Sequence, residues 1–306
     1  MLLSILANLI GFYSLIALPV VTTQTIDISQ FKDTGQIDLL ERVYLSDAPF
    51  RKNNSSLGIE ISAPSAMIVD KKTGLVLWQK NPNEVRSLAS LTKLMTALVF
   101  LDNNPGWETE VMILESDYRN GGRRYVYAGE KVLLRDIFNT ALVASSNDAT
   151  MALARSTGLS PEDFINQMNL KAHNLGMLQS FFVEPTGLDP QNISSAQDVI
   201  TLIQVSFNQP EIVNVTSKLL YSFDIINVPR SYTVENTNLL LKSYLRVMAG
   251  KTGYLDEAGY CLTSLIKGTK EQEIYLVVLG SDSEYNRFQE VKSLAQWTFD
   301  NYYWPN

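Results

Sequence analysis

Strand-forming runs gather towards the two ends of this chain, with helical periodicity between them, and that separation constrains the fold more than any other feature. Ala66 to Lys80, AMIVDKKTGLVLWQK, holds two β-rich runs around a polar turn that ends in Gly74, the pattern of a hairpin. Arg246 to Lys251, Tyr260 to Lys267 and Glu273 to Gly280 are short β-type runs at hairpin intervals, and a helix is expected from about Tyr285 to Tyr302. Between the two groups, Ser90 to Leu101, Leu134 to Ser145, Asp148 to Ser156, Pro161 to Leu175 and Ala196 to Gln204 carry apolar residues at helical spacing. An antiparallel sheet assembled from both chain ends and flanked by helices, with a mainly helical subdomain inserted over about residues 102–235, satisfies this order. The expected class is therefore α/β in the α+β sense.

The chain begins with an almost wholly apolar stretch, Met1 to Val21, which as a helix would reach roughly 31 Å at ~1.5 Å per residue. Residues 1–23 therefore read as a membrane anchor or a cleavable signal segment; no basic start orients them. Residues 24–58 are polar and irregular, a linker with one short helix expected at Ile37 to Val43, and residues 59–306 form the working domain.

The chemistry available is narrow. Basic residues number 25 against 32 acidic, a net charge of −7, which argues against nucleic acid as a partner. One cysteine, Cys261, and one histidine, His173, allow neither an internal disulfide nor the usual zinc site, so no metal is expected. His173 in a helical run and Cys261 in an apolar strand read as packing residues. Nucleophilic chemistry then needs a base other than histidine.

Three motifs stand in order: Ser90-Leu91-Thr92-Lys93, Ser145-Ser146-Asn147 and Lys251-Thr252-Gly253. They resemble the S-x-x-K, S-x-N and K-T-G set of acyl-serine enzymes, the penicillin-binding proteins and class A β-lactamases. Other copies exist, at Ser29 to Lys32, Ser264 to Lys267 and Lys72 to Gly74, and context chooses among them. Three-residue spacing places a hydroxyl and an amine on one face only in a helix, which favours Ser90 and Lys93 over Ser264 in its β-type run and Ser29 in the polar linker. Lys72 to Gly74 forms the hairpin turn. Lys251 to Gly253 falls at the end of an expected strand, where glycine permits a ligand to approach. Ser90 is then the nucleophile, its own N–H one oxyanion donor, and Lys93 the base, with its pKa lowered by burial or by a nearby cation, for which Lys251 is the natural candidate. Ser145 would relay a proton to the leaving amine, Asn147 would orient Lys93 and bind the substrate amide, and Lys251 with Thr252 would hold a substrate carboxylate. As an alternative, Ser146-Asn147-Asp148 also suits a helix N-cap.

The stretch from about Ala63 to Tyr303 is similar to the D-alanyl-D-alanine carboxypeptidase family of low-molecular-weight penicillin-binding proteins. The resemblance rests on Asp70 to Leu77, Ala89 to Ala97, Leu142 to Leu153, Pro185 to Asp189 followed by Ser194 to Ala196, and Gly250 to Gly253 followed by Ala258 to Tyr260. It implies the β-lactamase/DD-peptidase type of fold, action outside the cytoplasmic membrane on peptidoglycan stem peptides ending in D-Ala-D-Ala, an acyl-Ser90 intermediate, covalent inhibition by β-lactam antibiotics and no cofactor. It also implies Tyr254 as the second backbone oxyanion donor, Gly253 beside it, and Arg287 as an aid to carboxylate binding. The family's C-terminal β-domain is not expected here, and attachment would fall to residues 1–23. Tyr254 stands where some members have histidine, and Glu184 where asparagine is frequent. A class A-like β-lactamase using Glu184 to activate water, a DD-endopeptidase or transpeptidase, and a non-catalytic β-lactam- or wall-binding module are the alternatives.

Overall fold

A computed structural model describes residues 48–53, 56 and 58–305. The expected anchor or signal segment at residues 1–23, the short helix at Ile37 to Val43 and most of the linker lie outside the described residues. Among the described residues no helix is long and apolar enough to cross a membrane.

The N-terminal hairpin consists of β1 (Ser65–Asp70) and β2 (Val76–Lys80). Asp70 closes its turn by accepting from Thr73 N at 2.8 Å and Thr73 Oγ1 at 2.7 Å, and Gly74 supplies φ +73°. The second Lys-Thr-Gly copy is thus a turn built by an aspartate and a glycine. Near the other end, β3 (Arg246–Leu255), β4 (Gly259–Lys267) and β5 (Glu273–Ser281) form an antiparallel meander. β5 pairs with β1, from Ile274 opposite Asp70 to Leu279 opposite Ser65, so the sheet runs β3-β4-β5-β1-β2.

Both faces of the inner strands are covered, which explains why β1, β4 and β5 are buried along most of their length rather than alternating, while the edge strand β2 buries only Leu77. All six residues of β1 are buried. Met67 and Val69 join the cluster on the side of the helical lobe, while Ala66 and Ile68 meet Phe288, Val291, Leu294 and Ala295 on the other.

A 3₁₀ turn, Ala89–Leu91, leads directly into α1 (Thr92–Asp102), whose first nine residues are all buried. A helix enclosed on every side carries whatever polar side chain it bears into the interior, and Lys93 is in its first turn. The rest of the lobe holds α2 (Leu134–Val143), α3 (Asn147–Ser156), α4 (Pro161–Asn174), α5 (Ala196–Ser206) and α6 (Pro210–Thr216). Ser146, Ser160 and Ser195 cap α3, α4 and α5 by accepting from the backbone N–H three residues on. The last helix, α7 (Glu284–Asn301), packs on β4 and β5.

The structure departs from the sequence reading in several places. β3 continues past Lys251 to Leu255, so Lys251-Thr252-Gly253 lies inside a strand and not at its end. The lobe contains α6 and two β ribbons, Glu110–Met112 with Lys131–Leu133 and Leu220–Asp224 with Ser231–Glu235, which had no clear signal. Each ribbon strand buries only one of its residues, too few for a run of apolar positions to mark it. Phe50–Arg51, inside the stretch assigned to the linker, pairs with Tyr302–Tyr303, which pulls Tyr302 out of the final helix. His173 is exposed in the last turn of α4, and Cys261 is buried in β4, where burial pushes its thiol up to about 11.

Candidate active site

Residues from the three motifs line one cleft of about 490 Å³ between the sheet edge and the lobe. Ser90, Ser145, Asn147, Thr252, Gly253, Tyr254 and Arg287 all border it. β3 is the terminal strand of the sheet, so its outer edge faces the cleft.

The nucleophile candidate sits on a constrained turn. Ala89 takes φ +47°, an uncommon conformation for a residue with a Cβ, immediately before Ser90. Two glycines enclose this turn. A Cβ on Gly187 would lie 1.9 Å from Ala89 O, and one on Gly253 would lie 3.0 Å from Leu88 O and 3.2 Å from Ser90 N. Gly253 is therefore needed so that β3 can pass against the nucleophile turn, a protein contact additional to its place in the cleft lining. Gly187→Ala, with its φ of +83° and a backbone clash, is expected to lower stability by at least about 2 kcal/mol and to displace Ser90. Gly74→Ala, at φ +73° with nothing within 4 Å, should cost only about 1 kcal/mol. Thermal unfolding of the two variants checks the contrast, and equal losses would contradict it.

Lys93 Nζ lies 2.9 Å from Ser90 Oγ and donates to Asn147 Oδ1 at 2.7 Å and to Thr186 O at 2.5 Å. The side chain is 1% exposed. Burial lowers its pKa to about 7, against a raising pull from Glu184. The sequence reading gives Lys251 a share in this shift; burial is the larger cause, and the influence of charge is felt at the other lysine. Lys251, also 1% exposed, is held well below its ordinary value first by burial, then by Lys93 and Arg287.

Lys251 Nζ donates to Ser145 Oγ at 2.7 Å and to Thr252 O at 2.9 Å. Ser145 stands at φ +57° in the bend between α2 and α3, which turns its hydroxyl away from the helix it precedes. The N-cap is Ser146, whose Oγ accepts from Ala149 N at 3.3 Å. Capping and site chemistry are thus divided between neighbouring serines. Asn147 is oriented by two partners, accepting from Lys93 and donating Nδ2 to Gly121 O at 3.1 Å. Arg287, 4% exposed, donates Nη1 to Gly253 O at 3.0 Å and pairs with Glu284 at 3.1 Å.

Other residues here had no sequence signal or only a family echo. Thr237 and Thr252 share a hydroxyl hydrogen bond of 2.5 Å, and Gly121 and Gly122 border the cleft opposite β3. Glu184 is not in the cleft lining. Its Oε1 accepts from Gly187 N, Leu188 N and Asn192 Nδ2, and its Oε2 from Thr186 N and Thr186 Oγ1. With those positions filled, it is poorly placed to activate a water as in class A β-lactamases. The alternative serines fare no better: Ser264 is wholly buried in β4 opposite Gly250, and Ser29 lies outside the described residues.

The arrangement can do acyl transfer: a hydroxyl, an amine near neutrality beside it, a second lysine behind a second hydroxyl, and an open strand edge. Comparison with known proteins agrees. The D-alanyl-D-alanine carboxypeptidase family matches residues 48–283. A D-alanyl-D-alanine endopeptidase of Pseudomonas aeruginosa is 33% identical over 258 residues, covering 83% of this chain and 82% of that protein. The Streptomyces K15 DD-transpeptidase structure is similar with a TM-score of 0.75 and 26% identity, over 80% of this chain and 100% of its own. Penicillin-binding protein D2 of Listeria monocytogenes, in its cefotaxime-bound form, gives a TM-score of 0.71 and 29% identity over 80% and 100%.

Proposed function

Because this chain belongs to the D-alanyl-D-alanine carboxypeptidase family, and so is a serine DD-peptidase acting on peptidoglycan outside the cytoplasm, we propose that it removes the terminal D-alanine from stem peptides through an acyl-Ser90 intermediate. The observation that carries this reading is the set of partners around Lys93. A neutral amine has two N–H groups, and Asn147 Oδ1 and Thr186 O accept both, which leaves the nitrogen lone pair for the proton of Ser90 Oγ. With a pKa of about 7, half of the lysines are in that state at neutral pH.

Ser90 Oγ then attacks the carbonyl of the penultimate D-alanine as its proton passes to Lys93. The oxyanion accepts from Ser90 N and Tyr254 N; the contact between Gly253 and the nucleophile turn supports that pairing. Ser145, backed by Lys251, passes its proton to the leaving amine and is resupplied with the one that Lys93 took from Ser90, so D-alanine departs with Ser145 restored and Lys93 neutral again. Thr252, Lys251 and Arg287 supply donors or positive charge for the carboxylate of the departing residue. Water, deprotonated by Lys93, completes the cycle. A β-lactam would acylate the same serine, as the cefotaxime-bound relative suggests. Tethering through residues 1–23 is part of the same proposal.

A DD-endopeptidase activity is the second reading, favoured by the relative of that name in Pseudomonas aeruginosa. Both bonds present a D-centre with a free carboxylate beyond the scissile amide, so the residues named here serve either. Mass spectrometry of the purified full chain with a labelled penicillin, a D-Ala-D-Ala pentapeptide and a cross-linked muropeptide separates them. One adduct on Ser90 with one D-alanine released per pentapeptide is expected. Cleavage of the cross-link alone would transfer the assignment to endopeptidase, and no adduct with no cleavage would overturn the acyl-serine mechanism.

A further inference from the structure

We propose that Glu184 is a positioning residue for the Ser90 and Lys93 pair, its carboxylate tying the following loop into the shape that presents Thr186 O to Lys93 and seats Gly187 against the nucleophile turn. The inference deepens the proposed function and rests on it for the identity of the pair.

On its cleft side the loop is held by α1 and the nucleophile turn, and its shape is set from within. Behind it lies a cavity of about 300 Å³ lined by Met151, Ala154, Phe164, Ile165 and the loop's own Glu184 and Pro185. Pro185, Thr186 and Gly187 are buried, but towards this hollow packing contributes less, and the backbone N–H groups of Thr186 and Gly187 need internal partners. The Glu184 carboxylate supplies them to three successive residues, accepting from the N–H groups of Thr186 at 2.7 Å, Gly187, and Leu188 at 2.8 Å. Asn192 closes the loop from the other end by donating to Glu184 Oε1 at 2.8 Å and to Glu184 O at 3.0 Å.

Three contacts of the tied loop reach the catalytic pair. Thr186 O accepts from Lys93 at 2.5 Å, Pro185 O accepts from Thr96 Oγ1 at 2.6 Å one turn along α1, and Gly187 abuts the carbonyl of Ala89. One side chain outside the cleft therefore sets a partner of the base and a wall of the nucleophile turn. Its charge acts on the same amine. The charged groups around Lys93 are Glu184 from the loop and Lys251 from β3, with Arg287 beyond Lys251, and Glu184 pulls the Lys93 pKa upward.

A glutamine cannot replace this carboxylate. Both oxygens receive N–H donors, so whichever end carries the amide NH₂ meets donors with nothing to offer them.

The test uses the full chain as wild type, Glu184→Gln and Glu184→Asp. Acylation rate by a fluorescent penicillin is measured against pH, the Lys93 midpoint is read by NMR of Cε-labelled lysine, and thermal unfolding is followed in parallel. For Glu184→Gln, acylation is expected to slow by about 10². Its Lys93 midpoint should fall below that of wild type, so that the acidic limb moves to lower pH. Glu184→Asp keeps the charge and should keep the midpoint, with a smaller rate loss. A wild-type rate in Glu184→Gln, or a slow rate with an unmoved midpoint, overturns the proposal, because a loop that was merely structural would not move the titration. Should Glu184→Gln not fold, Asn192→Ser, which removes one donor from the same carboxylate, carries the test: slowed acylation supports the proposal and a wild-type rate overturns it. Failure of the proposed function would appear separately, as no Ser90 adduct in the wild type, and the midpoints would still decide the role of Glu184.

Discussion

Replacing Ser90 with alanine is expected to lower kcat/KM for a D-Ala-D-Ala peptide by on the order of 10⁶ and to eliminate the penicilloyl adduct. The size follows from what remains. Alanine leaves the oxyanion donors and the carboxylate site intact, but no other hydroxyl in the cleft stands beside a base of the same kind. Ser145 is joined to Lys251, which faces the charges of Lys93 and Arg287 and whose own amine is held by the Thr252 carbonyl as well. Stability should change little, since Ser90 is half-buried and its Oγ meets Lys93 only at the cleft floor. Penicillin labelling followed by peptide mapping checks this, and an adduct of undiminished yield in Ser90→Ala would end the assignment.

Lys93→Met is the second large effect. Loss of the base should slow acylation by about 10² to 10⁴. In the wild type the acylation rate should rise with pH up to about 7, where Lys93 gives up its proton, and level off above it. The same titration enters stability. The amine has a pKa near 7 in the fold and 10.5 in the unfolded chain, so between those values the unfolded state binds a proton that the folded state lacks. Stability then rises with pH in that window, and below about 7 the full cost of burying the amine is present. Wild type should gain on Lys93→Met across the window by on the order of 1 kcal/mol per pH unit, Lys251 being common to both chains. Two acceptors left unpaired in the variant, Asn147 Oδ1 and Thr186 O, cost about 1–3 kcal/mol each and offset much of the relief at neutral pH. Urea midpoints at several pH values measure the difference; parallel curves would contradict the lowered pKa.

The chemistry was largely legible in the chain because it depends on residue types at short spacings. Ser90 and Lys93 are three apart on what periodicity marks as a helix, and the structure brings them within hydrogen-bond distance. β1, β4 and β5 were legible because burial on both faces makes them predominantly apolar runs, while β2, which buries only Leu77, was legible from the hairpin turn before it. What escaped was whatever depends on shape across long separations. Nothing in Gly253 or Gly187 alone says that both touch one turn, and nothing in Glu184 says that its carboxylate is filled by its own loop. The lowered pKa of Lys93 was legible with burial or a nearby cation as its cause, and choosing burial required knowing that α1 is enclosed. The ribbons in the lobe were missed because half-exposed strands of three to five residues leave no pattern longer than chance.

The pairing of β1 with β5 joins residues 65–70 to residues 273–281. A ribosome delivers the first of these strands some two hundred residues before the second, and the wall bearing Lys251 hangs on strands that arrive late. The proposed reactivity of Ser90 is therefore expected only once the final hairpins have docked, a non-local event. A truncated product ending before β5 would hold the nucleophile without its cleft, so activity reports on completion of the chain.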